Sequence, residues 1–228
     1  PCGVDAKGRR ILECLRGVAA ERQRRLAEPD LGRRVDAVKR FQHDRFAQTY
    51  ADLLQSPGYG AAARFFLTEL YGPYDFADRD SQFERIVPAL VRLFPAEIVD
   101  TVHALAELHL LSEVMDSRMA EVIDDVVDLA AYGKAWREVG QPDLRERQIQ
   151  FTLTVGSALE RYTRRALLRK TLAAMRRPAQ FAGLGALQRF LESGFDTFRE
   201  MPDPKQFLRI VGEREHAFAA GLFGDSTM

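Results

Sequence analysis

Apolar residues recur at steps of three and four along nearly the whole chain, and this helical periodicity constrains the fold more than any other feature. Between residues 9 and 26, for example, Ile11, Leu15 and Val18 follow the spacing while six arginines take up much of the remaining surface. Alternating β-branched runs flanked by hairpin turns, which are typical of strands, are missing. The sequence therefore predicts an all-α protein.

Glycine and proline divide the pattern into about eight or nine helices. Their expected ranges are 11–26, 31–55, 59–71, 78–93, 95–115, 117–132, 143–175, 184–200 and 204–222. Pro88 is expected to kink or split the fourth helix, and Ser117 is expected to cap the sixth. No repeat of 30–45 residues and no long polar linker is visible. We therefore expect a single-domain multi-helix bundle over residues 1–228, with 1–30 as a candidate peripheral N-terminal helix.

The composition supports a packed interior. With 46% hydrophobic and 29% charged residues, the chain resembles ordinary globular proteins rather than disordered ones. The side chains expected in the core include Phe65, Phe66, Leu70, Phe83, Phe94 and Phe195, together with Leu159, Tyr162, Leu167, Leu168 and Leu172 of the long helix 143–175.

The cysteines and the hydropathy pattern indicate a reducing, cytoplasmic setting. Cys2 and Cys14 have no second cluster of Cys or His to complete a zinc ribbon or finger. No apolar run of signal-peptide length precedes the first charges. Nowhere do 18 apolar residues run together, so no membrane-spanning helix is expected.

The chain is neutral overall, with 33 basic and 33 acidic residues, but its charges are unevenly distributed. Residues 1–50 hold twelve basic and seven acidic residues, and residues 145–177 hold nine basic and two acidic. Residues 69–128 between them hold four basic and fourteen acidic residues. These opposite charges could neutralise one another within one fold or across a dimer.

The string Phe65-Phe66-Leu67-Thr68-Glu69-Leu70-Tyr71, followed by Gly72-Pro73, is distinctive. It resembles the bacterial FFLEELY-motif proteins, an uncharacterised family without an assigned activity, with Thr68 where that motif has Glu. The likeness extends over most of residues 40–215. The resemblance implies a bacterial cytoplasmic protein and offers no catalytic residue to carry over.

The motif itself is open to two interpretations. Phe65, Phe66 and Tyr71 cover more than one helix face, so they either belong to the core or line a ligand site together with His109. Glu69 would then need a basic partner, which Arg64 or Arg79 could supply.

Metal and haem binding are weaker alternatives. Glu213 and His216 form a Glu-x-x-His step, and Asp100 and His103 form a similar step, as in di-iron carboxylate bundles. The aspartate in place of glutamate departs from that pattern. His103 and His109, six residues apart, point in different directions from a regular helix, although either has the chemistry of an axial haem ligand.

Arg161, Arg165 and Arg169 are four residues apart and share one helix face within the densest basic segment. Nucleic-acid binding would require a reader motif as well, and none is evident in this neutral chain. We therefore interpret the three arginines as an interaction face for a protein partner or for self-association.

No recognised catalytic apparatus is present: a Gly-x-Ser-x-Gly motif, a phosphate-binding loop and a Cys/His pair in a known context are all missing. The sequence favours a non-catalytic helical binding or scaffold module of unknown function that needs no cofactor. The alternative is a helical protein that binds a hydrophobic ligand, haem or metal in an apolar interior.

Overall fold

The computed structural model describes residues 6–70, with the exception of the Leu70 side chain, and residues 76–124 and 127–224. Over these ranges the chain forms twelve α-helices and no strand, which confirms the all-α prediction. The helices are α1 (Ala6–Ala27), α2 (Pro29–Thr49), α3 (Ala51–Gln55), α4 (Gly60–Phe65), α5 (Ala77–Leu93), α6 (Ala96–Val122), α7 (Leu129–Val139), α8 (Pro142–Thr163), α9 (Ala166–Ala174), α10 (Arg176–Phe181), α11 (Gly185–Glu200) and α12 (Pro204–Gly224). A π-helical turn, Phe66–Leu70, follows α4.

The described helices outnumber the eight or nine expected because two predicted helices are interrupted and because α10 was not expected. The segment 31–55 breaks at Tyr50, and the segment 143–175 breaks at Arg165, whose backbone is extended. The hydroxyl of Tyr162 donates a hydrogen bond of 2.9 Å to the Glu97 carbonyl and holds the end of α8 against α6. The chain therefore changes direction after Thr163 instead of continuing as one helix.

One expected helix boundary, at Ser117, is wrong, and of the kink or split expected at Pro88 the split is excluded. Ser117 does not cap a helix, because it lies inside α6 with 1% of its surface exposed. Its hydroxyl donates to Glu21 at 2.7 Å and accepts from Arg25 at 2.9 Å, so it bonds to α1 rather than to its own helix end. α5 continues through Pro88, which therefore does not split it.

α6 is the central helix, and α1, α2 and α8 make extensive contacts with it. α1 buries Ile11, Leu15 and Val18 and so contributes to the core. A second cluster joins α2, α3 and α4 to α11 and α12 around Phe66 and Phe207. Within the described residues, no helix is both long enough and apolar enough to cross a bilayer.

The core prediction holds for Phe65, Phe66 and Phe195, which are 8% exposed or less. It is wrong for Phe94 and Leu167, which are 40% and 74% exposed. Phe94 follows the last residue of α5 at the turn to α6, and Leu167 follows the break at Arg165, so both lie next to helix ends. The Leu70 side chain lies outside the described residues.

Candidate interaction surface

α9 and α10 form an arm, residues 164–183, that packs against α11. None of the nine residues of α9, all within the described part of the chain, is buried. The arm is held by hydrogen bonds to its inner side: Gln188 of α11 donates to the Leu172 carbonyl at 2.7 Å, and Arg85 of α5 donates to the Ala182 carbonyl at 2.8 Å. The outer side is left to solvent.

Large apolar side chains project from this outer side. Leu167, Met175 and Phe181 are 74%, 48% and 92% exposed. An isolated exposed leucine is ordinary, but three exposed large apolar residues on one short arm, one of them a nearly fully exposed phenylalanine, are typical of an interaction site.

The same segment is strongly basic. Residues 161–190 contain eight Lys or Arg and no Asp or Glu. Four of the eight pair with carboxylates of other segments: Arg164 with Glu160 at 2.5 Å, Arg165 with Glu97 at 3.7 Å, Arg169 with Asp196 at 3.5 Å, and Arg176 with Glu192 at 2.6 Å. The other four, Arg161, Lys170, Arg177 and Arg189, are exposed and form no ion pair with any described residue.

The basic face expected from the sequence is thus only partly available. Of Arg161, Arg165 and Arg169, the last two are engaged with Glu97 and Asp196. The available cations on the arm are instead Lys170 and Arg177, which accompany the exposed apolar residues. Together these five residues, Leu167, Lys170, Met175, Arg177 and Phe181, form what we call the arm surface.

In the other basic segment, residues 1–50, basic side chains of α1 form ion pairs within the chain. α1 pairs with the acidic middle segment through Lys7–Asp100 at 2.5 Å, Arg16–Glu84 at 3.4 Å, Arg22–Asp80 at 2.7 Å and Arg24–Glu121 at 2.5 Å. These contacts favour neutralisation within one fold for residues 1–50. On the arm, the corresponding ion pairs leave only Lys170 and Arg177 without a carboxylate partner among the described residues.

α6 also carries a group of buried polar residues. Glu113, 4% exposed, accepts hydrogen bonds from Lys39 at 2.8 and 3.0 Å and from Arg25. Burial alone would raise the pKa of Glu113, but the two cations lower it to about 2. Three helices, α1, α2 and α6, are therefore joined through one carboxylate.

His109, offered above as a ligand residue, belongs to a similar group. Its Nε2 lies 2.8 Å from Asp80, which also accepts from Arg22 at 2.7 Å. Burial opposes ionisation of Asp80, yet His109 and Arg22 keep its pKa below the usual value. Glu69, which was expected to need a basic partner, contacts Arg79 of the same α5 segment. The guanidinium of Arg79 lies 3.9 Å from the Glu69 carboxylate and donates to the Glu69 backbone carbonyl at 3.0 Å.

A third group contains an unsatisfied charge. The guanidinium of Arg145 stacks on Trp136, with 3.8 Å from Cζ to the ring centroid, and donates to Gln148 at 3.1 Å. Its Nε and Nη2 have no hydrogen-bond partner, and neither does Trp136 Nε1. Nearby Asp116 bonds to Gln42 at 2.9 Å, and burial raises its pKa.

The aromatic residues proposed for ligand lining are packed by other side chains. Phe65 stacks on Phe190 at 5.8 Å between ring centroids, and Phe66 contacts Phe198 and Phe207 at 6.3 and 5.6 Å. Tyr71 lies outside the described residues. The open depressions lie elsewhere; one of about 670 Å³ between α8 and α12 has both polar and apolar walls, including Leu153, Arg161 and Lys205.

The four residues of the metal hypothesis each pair elsewhere. Glu213 bonds to Arg209 at 2.8 Å, His216 lies 3.1 Å from Glu146, Asp100 pairs with Lys7, and His103 lies 3.9 Å from Glu107. Among the described residues, no group of three or more His, Cys, Asp or Glu is placed to hold a metal ion.

Sequence reasoning missed the apolar half of the arm surface. Met175 and Phe181 were not singled out, and Leu167 was assigned to the core. The signal that could have found them is the complete lack of acidic residues over 161–190, because a segment with one sign of charge is typical of an interaction surface.

Comparison with known proteins adds a family and no function. The model of a family described as "Domain of unknown function (DUF8198)" matches residues 21–227. Neither the curated proteins nor the solved structures contain a significant match to the chain.

Proposed function

We propose that this chain, which belongs to the DUF8198 family of unknown function, is a non-catalytic helical binding module that docks through its arm surface onto an acidic partner. One observation carries the proposal: eight basic and no acidic residues over 161–190, combined with the exposure of Leu167, Met175 and Phe181. Cations attract an acidic surface from a distance, and buried apolar side chains then supply much of the binding free energy.

The finer identity of the protein belongs to the same proposal. The FFLEELY-like string supports a bacterial origin, and the paucity of cysteine supports a cytoplasmic location. The sequence predicted a protein partner or self-association. Either would supply an acidic surface for the cations and an apolar region in which the exposed apolar side chains become buried.

Protection of the arm from chemical labelling tests this function. In a Cys2→Ser background, Gln180→Cys and Leu26→Cys each introduce one thiol at an exposed position, the first next to Phe181 of the arm surface. Cys14 is buried, and burial raises the pKa of its thiol, so it reacts slowly with maleimide. Labelling of purified and extract-incubated protein is then compared, using a total extract of the native host that retains its membranes.

We expect the extract to slow labelling at position 180 by about tenfold, as for a partner present at about ten times its Kd, and to leave position 26 unchanged. Adding Lys170→Glu and Arg177→Glu should remove the protection. Equal labelling of the 180 thiol with and without extract would contradict the proposed function.

A further inference from the structure

The side chains of the arm surface restrict the chemistry of its partner. Leu167 and Met175 are aliphatic, so they gain nothing from a phosphate backbone, and nucleic acids hold protein side chains mainly by charge and by stacking on aromatic rings. The partner must therefore have an apolar layer directly beneath the anionic layer that the cations contact.

The charge pattern restricts it further. Protein surfaces mix both signs of charge, and complementary protein interfaces mix them as well. The arm segment itself supplies cations alone; the carboxylates that pair with Arg165, Arg169 and Arg176 come from other segments. The charges of the arm surface that remain unpaired, Lys170 and Arg177, are both positive and match a partner that is uniformly negative.

An anionic lipid leaflet has both properties, since negative headgroups cover a hydrocarbon layer. We propose that the arm surface binds the anionic face of a lipid bilayer and that the chain lies on it peripherally, an inference that rests on the proposed function above. Phe181, Leu167 and Met175 enter the headgroup region while Lys170 and Arg177 contact the headgroups.

The surroundings of the arm extend this surface. The contact of 3.7 Å between Arg165 and Glu97 places the start of the arm beside the connection of α5 to α6. Leu93 and Phe94 are 70% and 40% exposed there. Further apolar side chains thus accompany the arm at the end where the helix changes direction.

The expected effects follow from the same two forces. Each basic side chain near an anionic leaflet strengthens binding by about fivefold, so Lys170→Glu and Arg177→Glu should each weaken it by at least about that factor. Phe181→Ser should weaken binding by about tenfold or more, because a phenylalanine leaves an apolar environment. Raising the salt from about 0.1 M to about 1 M shortens the screening length from about 10 Å to about 3 Å and should release the protein.

Cosedimentation of the full chain with vesicles tests the inference. The vesicles contain phosphatidylcholine alone or phosphatidylcholine with an equal amount of phosphatidylglycerol, and polyglutamate and single-stranded RNA serve as anionic probes without an apolar layer. Leu26→Ser is the matched control for Leu167→Ser, since these leucines are 73% and 74% exposed. Lys134→Glu on α7, also exposed, is the control for Lys170→Glu.

We expect binding to the anionic vesicles alone, lost in the arm variants and kept in both controls. Equal binding to neutral vesicles, stronger binding to RNA or polyglutamate, or equal loss in the controls would overturn the lipid assignment. If the vesicles fail to bind while a membrane-free host extract still protects the thiol at position 180, the lipid inference is wrong and the binding module stands. If neither vesicles nor total extract protects it, both are wrong.

Discussion

Glu113 is the single side chain whose removal should be most damaging to the fold. It is 4% exposed and is the carboxylate between Arg25 and Lys39. Glu113→Gln preserves the shape and leaves two buried cations without their counter-ion, which in other buried pairs costs about 3–5 kcal/mol.

The pKa gives an independent magnitude. A fall from 4.5 to about 2 in the folded state corresponds to about 3 kcal/mol of stability at pH 7. Because the folded pKa is the lower one, this stability is fully present above about pH 4.5 and is lost as the pH falls towards 2. By pH 3, about 2 kcal/mol of it should have disappeared.

Urea unfolding of the wild type and Glu113→Gln at pH 7 and pH 3 measures both quantities. The free energies of unfolding should differ by about 3 kcal/mol at pH 7 and by about 1 kcal/mol at pH 3. Glu84→Gln, which removes a more exposed partner of Arg16 at 3.4 Å, is the control and should cost less than about 1 kcal/mol. A cost below about 1 kcal/mol for Glu113→Gln at pH 7, or a difference that does not change with pH, would refute the reasoning.

Three other measurements test the interior and the surface. Arg145→Met should raise the free energy of unfolding by about 1–3 kcal/mol, since it removes unsatisfied buried N–H groups; a clear destabilisation in urea would argue the opposite. Gly194→Ala places a Cβ 3.0 Å from the Phe65 ring and should destabilise the protein by about 1–2 kcal/mol. Gly221→Ala, with open space around the new Cβ, should stabilise it by up to about 1 kcal/mol. The reverse order of the two variants in thermal unfolding would contradict this packing. The hydrogen bond that protonated His216 donates to Glu146 of α8 raises the pKa of His216 above 6.5, so its contribution to stability is present below pH 6.5 and is lost as pH rises through the folded value. An NMR titration midpoint at or below 6.5 would disprove the pairing.

The sequence predicted best those helices whose ends are marked by backbone chemistry. α11 and α12 were expected at 184–200 and 204–222, and they lie at Gly185–Glu200 and Pro204–Gly224. Gly183, with a φ of 68°, and Pro202 and Pro204 impose these ends locally, so no distant contact is needed to place them.

Features set by distant partners were not predictable in this way. Ser117 has the chemistry of a helix cap, but Arg25, 92 residues away in the chain, uses its hydroxyl inside the bundle. Leu167 has the spacing of a core residue, and the same spacing occurs in an apolar face that no helix covers. Periodicity indicates that a face is apolar and does not indicate what covers it.

The pairing of α1 with α6 also has a consequence for biosynthesis. Their hydrogen bonds join residues 88 to 97 positions apart, as in Arg25–Glu113 and Arg24–Glu121. At about 5–20 residues per second, the ribosome needs roughly 5–20 s to produce α6 after α1 has been made. During that interval α2 and then α5 are made, but the apolar face of α1, with Ile11 and Val18, still lacks α6, the helix that it contacts most extensively. The nascent chain therefore has to be kept from aggregating for several seconds, a task for molecular chaperones, until its central helix exists.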